Sequence, residues 1–456
     1  MLAWPKSTRI HFVGIGGIGM SGIAEVLLDL GYSISGSDLN QSSVTENLIK
    51  KGATIFSGHS AAHVQSAQLV IYSSAINEQN PEFSQAVASK TPMMKRGQLL
   101  AEMMKCYTGV AIAGSHGKTT TSSMVATIFR AANLDPSFII GGLITNLGGN
   151  AYSGTGRHLV VESDESDGSF LFMTPSLIAL TNIDDDHIDH YGSKEKIVEA
   201  FRQFVDKLPD YGQVVLNQDD ECCRKLKLRA SIKAAWYSSE TKDADYFASQ
   251  IRYAADGTSF DLFYQGQPVV KIKSHLLGRH NVANTLAAIG ISHQAGISWN
   301  DISLGVNQFL GVSRRLEKLY EKNSFVVIDD YGHHPTEVKA TLAAIKEVDQ
   351  RSLYVVFEPH RFTRTQNFWN EFKQAFSLAD ELFIAPIYAA SEAAIEGVSS
   401  LKLVEEMQST GKKVSHLNSL AEMQELLKTR VNTPGVFLTL GAGGISKKIR
   451  ELVKSL

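Results

Sequence analysis

Gly114-Ser115-His116-Gly117-Lys118-Thr119-Thr120-Thr121 is the stretch on which the reading of this chain turns. Before it, Val110-Ala111-Ile112-Ala113 is short and apolar, as a buried strand is, and after it Ser122 to Phe129 continues as a helix. A strand, a glycine turn carrying a lysine and hydroxyls, and a helix start together make a cradle for nucleotide phosphates. The glycines let backbone N–H groups approach the phosphate oxygens, Lys118 adds a point charge, and a threonine hydroxyl can ligate Mg²⁺. The general pattern has glycine five residues before Gly117; here that position is Ile112. Gly-Lys-Thr by itself also suits a plain helix cap. The preceding strand, Gly114 and the threonine run favour phosphate.

Working outward, the chain of 456 residues is too long for a single core and predicts several domains. It is 43% hydrophobic and 20% charged, with a net charge of −3. That balance offers no electrostatic footprint for nucleic acid or for an acidic membrane. No apolar run reaches the length of a membrane span, and the first residues do not read as a signal peptide, so a cytoplasmic setting is expected. Three cysteines, of which Cys222 and Cys223 are adjacent, make neither a disulfide framework nor zinc spacing.

Upstream, Arg9 to Val13 reads as a strand running into Gly14-Ile15-Gly16-Gly17-Ile18-Gly19. Met20 to Leu30 has helical apolar spacing, and a second strand ends at Asp38. This is the G-x-G-x-x-G fingerprint in a βαβ context, with an acid some twenty residues on. Taken alone it suggests NAD and a dehydrogenase. Its physics requires only a diphosphate on a helix N-terminus, which any nucleoside diphosphate conjugate supplies. Leu69 to Tyr72 is a further strand, closed by Ser73-Ser74.

Downstream, Leu159-Val160-Val161-Glu162 places an acid at the end of an apolar strand, followed by Asp164, Glu165 and Asp167. Leu177 to Asn182 is another strand, ending in Asp184-Asp185-Asp186-His187. Glu162 is the candidate Mg²⁺ ligand, because acids at strand ends beside a phosphate loop are where the metal of ATP needs oxygen. For Asp164, Glu165 and Asp167, helix capping is an equal reading. His187 is either a ligand or a charge-paired surface histidine. Residues 244 to 273 alternate like antiparallel strands with turns at Asp256-Gly257 and Gln265-Gly266. Gly278-Arg279-His280-Asn281 opens a helix on which Asn281 and Asn284 share one face. After a connector at Phe309 to Ser313, four apolar strands starting near 324, 353, 382 and 436 predict another open α/β layer. They deliver Asp329-Asp330-Tyr331-Gly332-His333-His334 and His360-Arg361-Phe362-Thr363-Arg364, where the two arginines can grip a carboxylate or phosphate.

In order, these segments resemble the Mur ligase family over the whole length. The resemblance implies an α/β, three-domain Mur ligase architecture: a Rossmann-like UDP-binding domain over 1–97, a P-loop-type ATPase domain over 98–312 and a C-terminal Rossmann-like domain over 313–456. It implies ATP-dependent joining of L-alanine to the lactyl carboxylate of UDP-N-acetylmuramate through an acyl phosphate, in peptidoglycan precursor synthesis. By position, Gly114, Ser115, His116, Gly117, Lys118, Thr119 and Thr120 hold ATP phosphates. His280, Asn281 and Asn284 lie on the adenine side, while Arg315 and Asp330 complete the ATP site from the C-terminal side. Thr119, Glu162 and His187 match metal ligands for two Mg²⁺ ions. Gly14, Gly16, Gly17, Ile18, Gly19, Asp38, Ser73 and Ser74 match the UDP-sugar site, and His333, His334, Arg361 and Arg364 the part handling the amino acid. Lys118, Glu162, His187, Arg315, Asp330 and His333 are the catalytic candidates, and a base for the amine is sought among His333, His334 and His360. Ser115 stands where a threonine is usual, and neither Lys194 nor Lys196 sits in a motif that marks a modified metal-bridging lysine. The family's recycling ligase, which attaches a tripeptide to the same sugar, is the nearest rival. A dehydrogenase is more remote, as it leaves Lys118, Glu162 and His187 idle.

Overall fold

The computed structural model describes residues 4–186 and 188–456. Three sheets carry the chain in succession. The first is five-stranded and parallel, in the order Thr54–Ser57, Ser33–Asp38, Arg9–Val13, Leu69–Tyr72, Met93–Lys95. Its central strand is buried at every position after Arg9, as a strand covered by helices on both faces must be. The helix Ile18–Asp29 follows the glycine loop directly and buries Met20, Ile23, Val26 and Leu27. The strand order reverses beside Arg9–Val13, so the loops at its C-terminal end open a crevice of the kind that binds nucleotides.

The second sheet has ten strands, among which Thr108–Ala113 lies between Leu177–Leu180 and His158–Glu162, all parallel. Three strand ends therefore meet at the phosphate loop. The helix Lys118–Ala131 starts immediately after Gly117 and is buried from Thr119 to Phe129, which explains its unbroken run of small and apolar residues. Tyr246–Ala254, Gly257–Tyr264 and Gln267–Ser274 extend the sheet at one end. The turn between the last two is Gln265-Gly266, at φ 48° and 74°, the left-handed pair that a two-residue hairpin demands.

The third sheet has six strands in the order Glu317–Lys322, Phe325–Asp330, Gly435–Leu440, Ser352–Phe357, Glu381–Ile384, Val414–His416. The first pair is antiparallel and the rest are parallel. Four of these strands coincide with the apolar runs of the sequence. The two edge strands were not expected, because Glu-Lys-Leu-Tyr-Glu-Lys is largely charged and Val-Ser-His is too short to show a period. Charge is what protects an exposed edge from pairing with another chain.

By contact density the chain forms two compact units. One runs to Gln250 and adds Phe260–Ser274 and Ala283–Leu310, so it carries the first sheet and most of the second. The other comprises Ile251–Ser259, His275–Val282 and Gly311–Leu456. In the second unit, two clusters pack on opposite faces of the sheet, one around Val355, Phe357, Leu382 and Leu438, the other around Phe325, Val327, Val356 and Phe437. Among the described residues no helix is long and apolar enough to cross a membrane.

Candidate active site

In the first sheet the loop 14–19 is held by its neighbouring strand. The Gly14 and Ile15 N–H groups donate to the Ser37 carbonyl at 2.9 and 3.0 Å. Gly16 N–H donates to Asp38 Oδ2 at 2.8 Å. The acid at the end of the second strand thus braces the glycine loop. Ser73 lies against Gly14, and Ser74 is exposed.

The phosphate loop is tied to the strand beside it. Ser115 N–H donates to the Asn182 carbonyl at 3.0 Å, His116 N–H to Asn182 Oδ1 at 2.9 Å, and Asp184 N–H to Ser115 Oγ at 2.9 Å. His116 Nε2 lies 3.0 Å from Asp184 Oδ2. Gly117 sits at φ 81° with Asn284 Oδ1 packed where a Cβ would be. Lys118 Nζ donates to the carbonyls of Gly114 (2.6 Å) and Ser115 (3.1 Å) and to the Glu165 carboxylate (2.8 Å). Thr119 Oγ1 donates to Glu162 Oε1 at 3.0 Å, and Glu162 Oε2 accepts from Gly141 N–H at 2.8 Å.

Two buried charges meet here. Burial opposes the Lys118 ammonium, but Glu165, Glu162 and Asp164 outweigh it and its pKa lies above the ordinary lysine value. Burial, reinforced by Asp164, pushes the Glu165 carboxyl up to about 7 against the pull of Lys118. Both shifts are upward for different reasons: the lysine gains three acids, and the acid loses its water.

In the second unit, Asp330 is fully surrounded. It accepts from Leu316 N–H at 2.7 Å, Gly332 N–H at 2.8 Å and Thr341 Oγ1 at 3.2 Å. Burial raises its pKa, and Arg315 with the two backbone donors pulls the other way. Glu337 organises the segment around it: Arg315 Nη1 donates to it at 3.5 Å, and the His333 and His334 N–H groups at 3.0 and 3.2 Å. His280 lines a cavity of about 370 Å³ with Arg279, Ala340, Ala344 and Glu347. Burial and then the Arg315 charge lower its pKa to about 4. Arg361 Nε donates to Glu392 Oε1 at 2.5 Å, whereas Arg364 is buried with Nη1 3.3 Å from His360 Nδ1.

Models of three protein families cover most of the chain. That described as "Mur ligase family, catalytic domain" matches residues 9–108, the "Mur ligase middle domain" 112–292, and the "Mur ligase, glutamate ligase domain" 314–443. The chain belongs to the Mur ligase family. Its architecture is the α/β three-domain one of that family, with Rossmann-like and P-loop-type parallel sheets. A UDP-N-acetylmuramate--L-alanine ligase of Geotalea daltonii is 44% identical over 99% of this chain and 98% of its own length. The crystal structure of a UDP-N-acetylmuramate-alanine ligase from Thermotoga maritima superposes with a TM-score of 0.85 at 29% identity, covering 98% of each chain. That of a murein peptide ligase from Psychrobacter arcticus gives 0.74 at 24% identity, again covering 98% of each.

Among the Mur ligase residues expected from sequence, the structure brings Lys118, Thr119, Glu162 and Asn284 together around Gly114 to Gly117. It gathers Arg315, Asp330, His333 and His334 around Glu337, and places the glycine loop 14–19 against Asp38. Thr120 is buried in the first turn of its helix, and Asn281 donates to the Leu277 carbonyl at 2.9 Å, in the second unit. His187 lies outside the described residues. Arg361 and Arg364 do not stand as a free pair: one is engaged by Glu392 and the other is buried. Asp164 binds Arg96 at 3.0 Å and the Ser166 N–H and hydroxyl, and Asp167 accepts from Ser169 N–H. Both brace a turn, and as the short helix Ser169–Phe172 has Gly168 at its N-cap with no side-chain bond, neither acid is a helix cap. Asn182, Glu337 and Glu392 were not singled out from sequence, and Glu165, read there as a cap or a metal ligand, pairs instead with Lys118. For Glu337 a signal existed: His334-Pro335-Thr336-Glu337 has the proline and the acid of a helix start, and the helix Pro335–Val348 begins there with a capping box.

Proposed function

We propose that this chain joins L-alanine to the lactyl carboxylate of UDP-N-acetylmuramate at the expense of ATP. The observation that carries the reading is the placement of Lys118 and the Thr119–Glu162 pair at the meeting of three strand ends, in a chain alike over its full length to L-alanine ligases. The carboxylate oxygen attacks the γ-phosphorus, giving an acyl phosphate and ADP; the alanine amine then attacks the acyl carbon and phosphate leaves. Domain limits at 97 and 312 belong to this proposal, the first of them falling inside the helix Arg96–Met104.

The chain's part is positioning, charge neutralisation and exclusion of water from a hydrolysable acyl phosphate. Backbone N–H groups of the 114–120 loop hold phosphate oxygens. Lys118 exchanges its bonds to Gly114, Ser115 and Glu165 for γ-phosphate. Mg²⁺ fits the donor set, since Thr119 Oγ1 and Glu162 Oε1 are hard oxygens already in contact. Thr119 and Glu162 would hold a first ion and His187 a second, and when bound they supply neutralisation of the charge on the transferring group. The loop 14–19 takes the diphosphate of the sugar nucleotide. Asp38 braces that loop through one carboxylate oxygen. Of the three candidate bases, His360 is a weak proton acceptor, because burial, then Arg364 and Arg361, lower its pKa to about 4.

The deciding measurement is phosphate release with UDP-N-acetylmuramate and ATP, against L-alanine, glycine, L-serine and the murein tripeptide. L-Alanine is expected to give the highest kcat/KM. Faster use of the tripeptide transfers the assignment to the recycling reaction, and a nicotinamide absorbance change without phosphate release returns it to a dehydrogenase.

A further inference from the structure

Away from the phosphate loop, a carboxylate lies fully buried under the nucleotide crevice of the first sheet. Glu82 is 0% exposed, in the first turn of the helix Pro81–Ala88 that follows the loop after Leu69–Tyr72. Ser37 Oγ donates to its Oε2 at 2.5 Å. His63 Nδ1 lies 2.6 Å from Oε1, and Ser60 N–H donates to Oε1 at 3.3 Å. His59 Nδ1 and His11 Nε2 stand 3.4 and 3.5 Å from Oε2. Burial by itself would raise this carboxyl; the neighbouring His11 and the hydrogen bonds with Ser37 and His63 outweigh it and hold the group at about 2. An ionised, dehydrated carboxylate is a weak source of stability, because desolvation consumes what pairing returns. What it does provide here is connection. The groups it gathers come from the strands Arg9–Val13 and Ser33–Asp38 and from the segment after Thr54–Ser57, whereas Glu82 itself follows Leu69–Tyr72, on the other flank of the crevice.

Ser37 is also the residue whose carbonyl takes the Gly14 and Ile15 N–H groups, and its neighbour Asp38 takes that of Gly16. We propose that Glu82 is a positioning residue for the UDP-sugar: by fixing Ser37, whose carbonyl holds the Gly14 and Ile15 N–H groups, it sets the loop so that its remaining N–H groups face the diphosphate. This rests on the assignment of the 14–19 loop to the sugar nucleotide.

The test is titration calorimetry and initial-rate kinetics on the full chain. Glu82→Gln keeps the shape but replaces one acceptor oxygen by a donor. It should raise the Kd and KM for UDP-N-acetylmuramate roughly tenfold, the worth of one charge-assisted hydrogen bond, while ATP affinity and kcat at saturating sugar stay within about twofold. Ser37→Ala should weaken sugar binding in the same way, and the double variant should be no worse than Glu82→Gln, since both break one path. Should Glu82→Gln not fold, Ser37→Ala carries the same expected split by itself. A merely structural acid would lower the melting temperature and spare the sugar, or weaken sugar and ATP together; either result overturns the proposal. Gly16→Val separates the two assignments, because its Cβ would lie 2.8 Å from Asp38 Oδ2. If Gly16→Val spares UDP-sugar binding, the site assignment fails and this inference with it. If it abolishes binding while Glu82→Gln and Ser37→Ala do not weaken it, only the role of Glu82 fails.

Discussion

Replacing Gly117 by alanine adds one methyl group at the point where phosphate loop and helix join, and the structure sets the cost. Gly117 has φ 81° and ψ −4°, and it caps the helix Lys118–Ala131. An L-residue in that left-handed conformation costs about 1–2 kcal/mol. The new Cβ would also fall 2.2 Å from Asn284 Oδ1 and 3.0 Å from its Cγ, a separation that real carbon atoms do not adopt. Asn284 is only 6% exposed, so it has little room to turn away. Overpacking of this kind adds about 1–3 kcal/mol, for a total of about 2–5 kcal/mol. The loop can absorb that strain and lose stability, or relax it by re-aiming its N–H groups and lose nucleotide affinity. A loss of about 2 kcal/mol taken entirely in binding raises the Kd for ATP roughly thirtyfold. The assay pairs ATP calorimetry with denaturant unfolding, following the transition that ATP shifts. Gly117→Ala/Asn284→Ala removes the clash and leaves the φ penalty, so it should recover about 1–3 kcal/mol of stability relative to Gly117→Ala. If Gly117→Ala matches the parent in both ATP affinity and stability, this account of the loop is refuted.

Lys118→Ala should reduce ligation by roughly three orders of magnitude and leave UDP-sugar affinity nearly intact, because the proposed reaction sets its charge on the transferring phosphoryl group; retention of more than about a tenth of the turnover counts against the role. Arg361→Ala should raise the KM for L-alanine roughly tenfold with ATP and sugar affinities unmoved, and Glu392→Gln, which frees Arg361, should lower it. An unchanged L-alanine KM in both variants would assign Arg361 to holding Glu392 alone. His158 is buried, and burial followed by Arg157 lowers its pKa from 6.5 to about 4. A depressed histidine favours folding above its unfolded pKa, so this contribution, about 3 kcal/mol, is present above pH 6.5 and is lost as pH falls towards 4. His158→Leu should therefore flatten the acid limb of the stability profile in denaturant unfolding at pH 4 to 7, and an unchanged limb would show that His158 does not titrate there.

Local chemistry settled much of this protein before any fold was known. Both glycine loops, Lys118, and Glu162 at the end of its strand were legible, because each depends on a residue type at a fixed spacing from a strand or helix start. The Gln265-Gly266 turn was legible for the same reason, since left-handed φ values select few residues. The edge strands Glu317–Lys322 and Val414–His416 were not, as their place in the sheet follows from neighbours far along the chain. Nor could sequence separate the acids after Glu162. Capping and metal binding use the same carboxylates, and only packing gave Asp164 to Arg96 and Glu165 to Lys118. The two arginines looked like a pair because they stand three residues apart, yet Glu392 engages one and burial takes the other. Glu82 is the extreme case: an ordinary acid in a helix start, whose meaning lies in Ser37, His59 and His63, residues 19 to 45 positions away that meet it only once the sheet has formed. Sequence thus determined the two glycine loops and the strand and helix that flank each, since backbone conformation and short-range spacing decide those. Tertiary structure alone decided which buried charges face one another, because desolvation and pairing depend on distances that no spacing in the chain encodes.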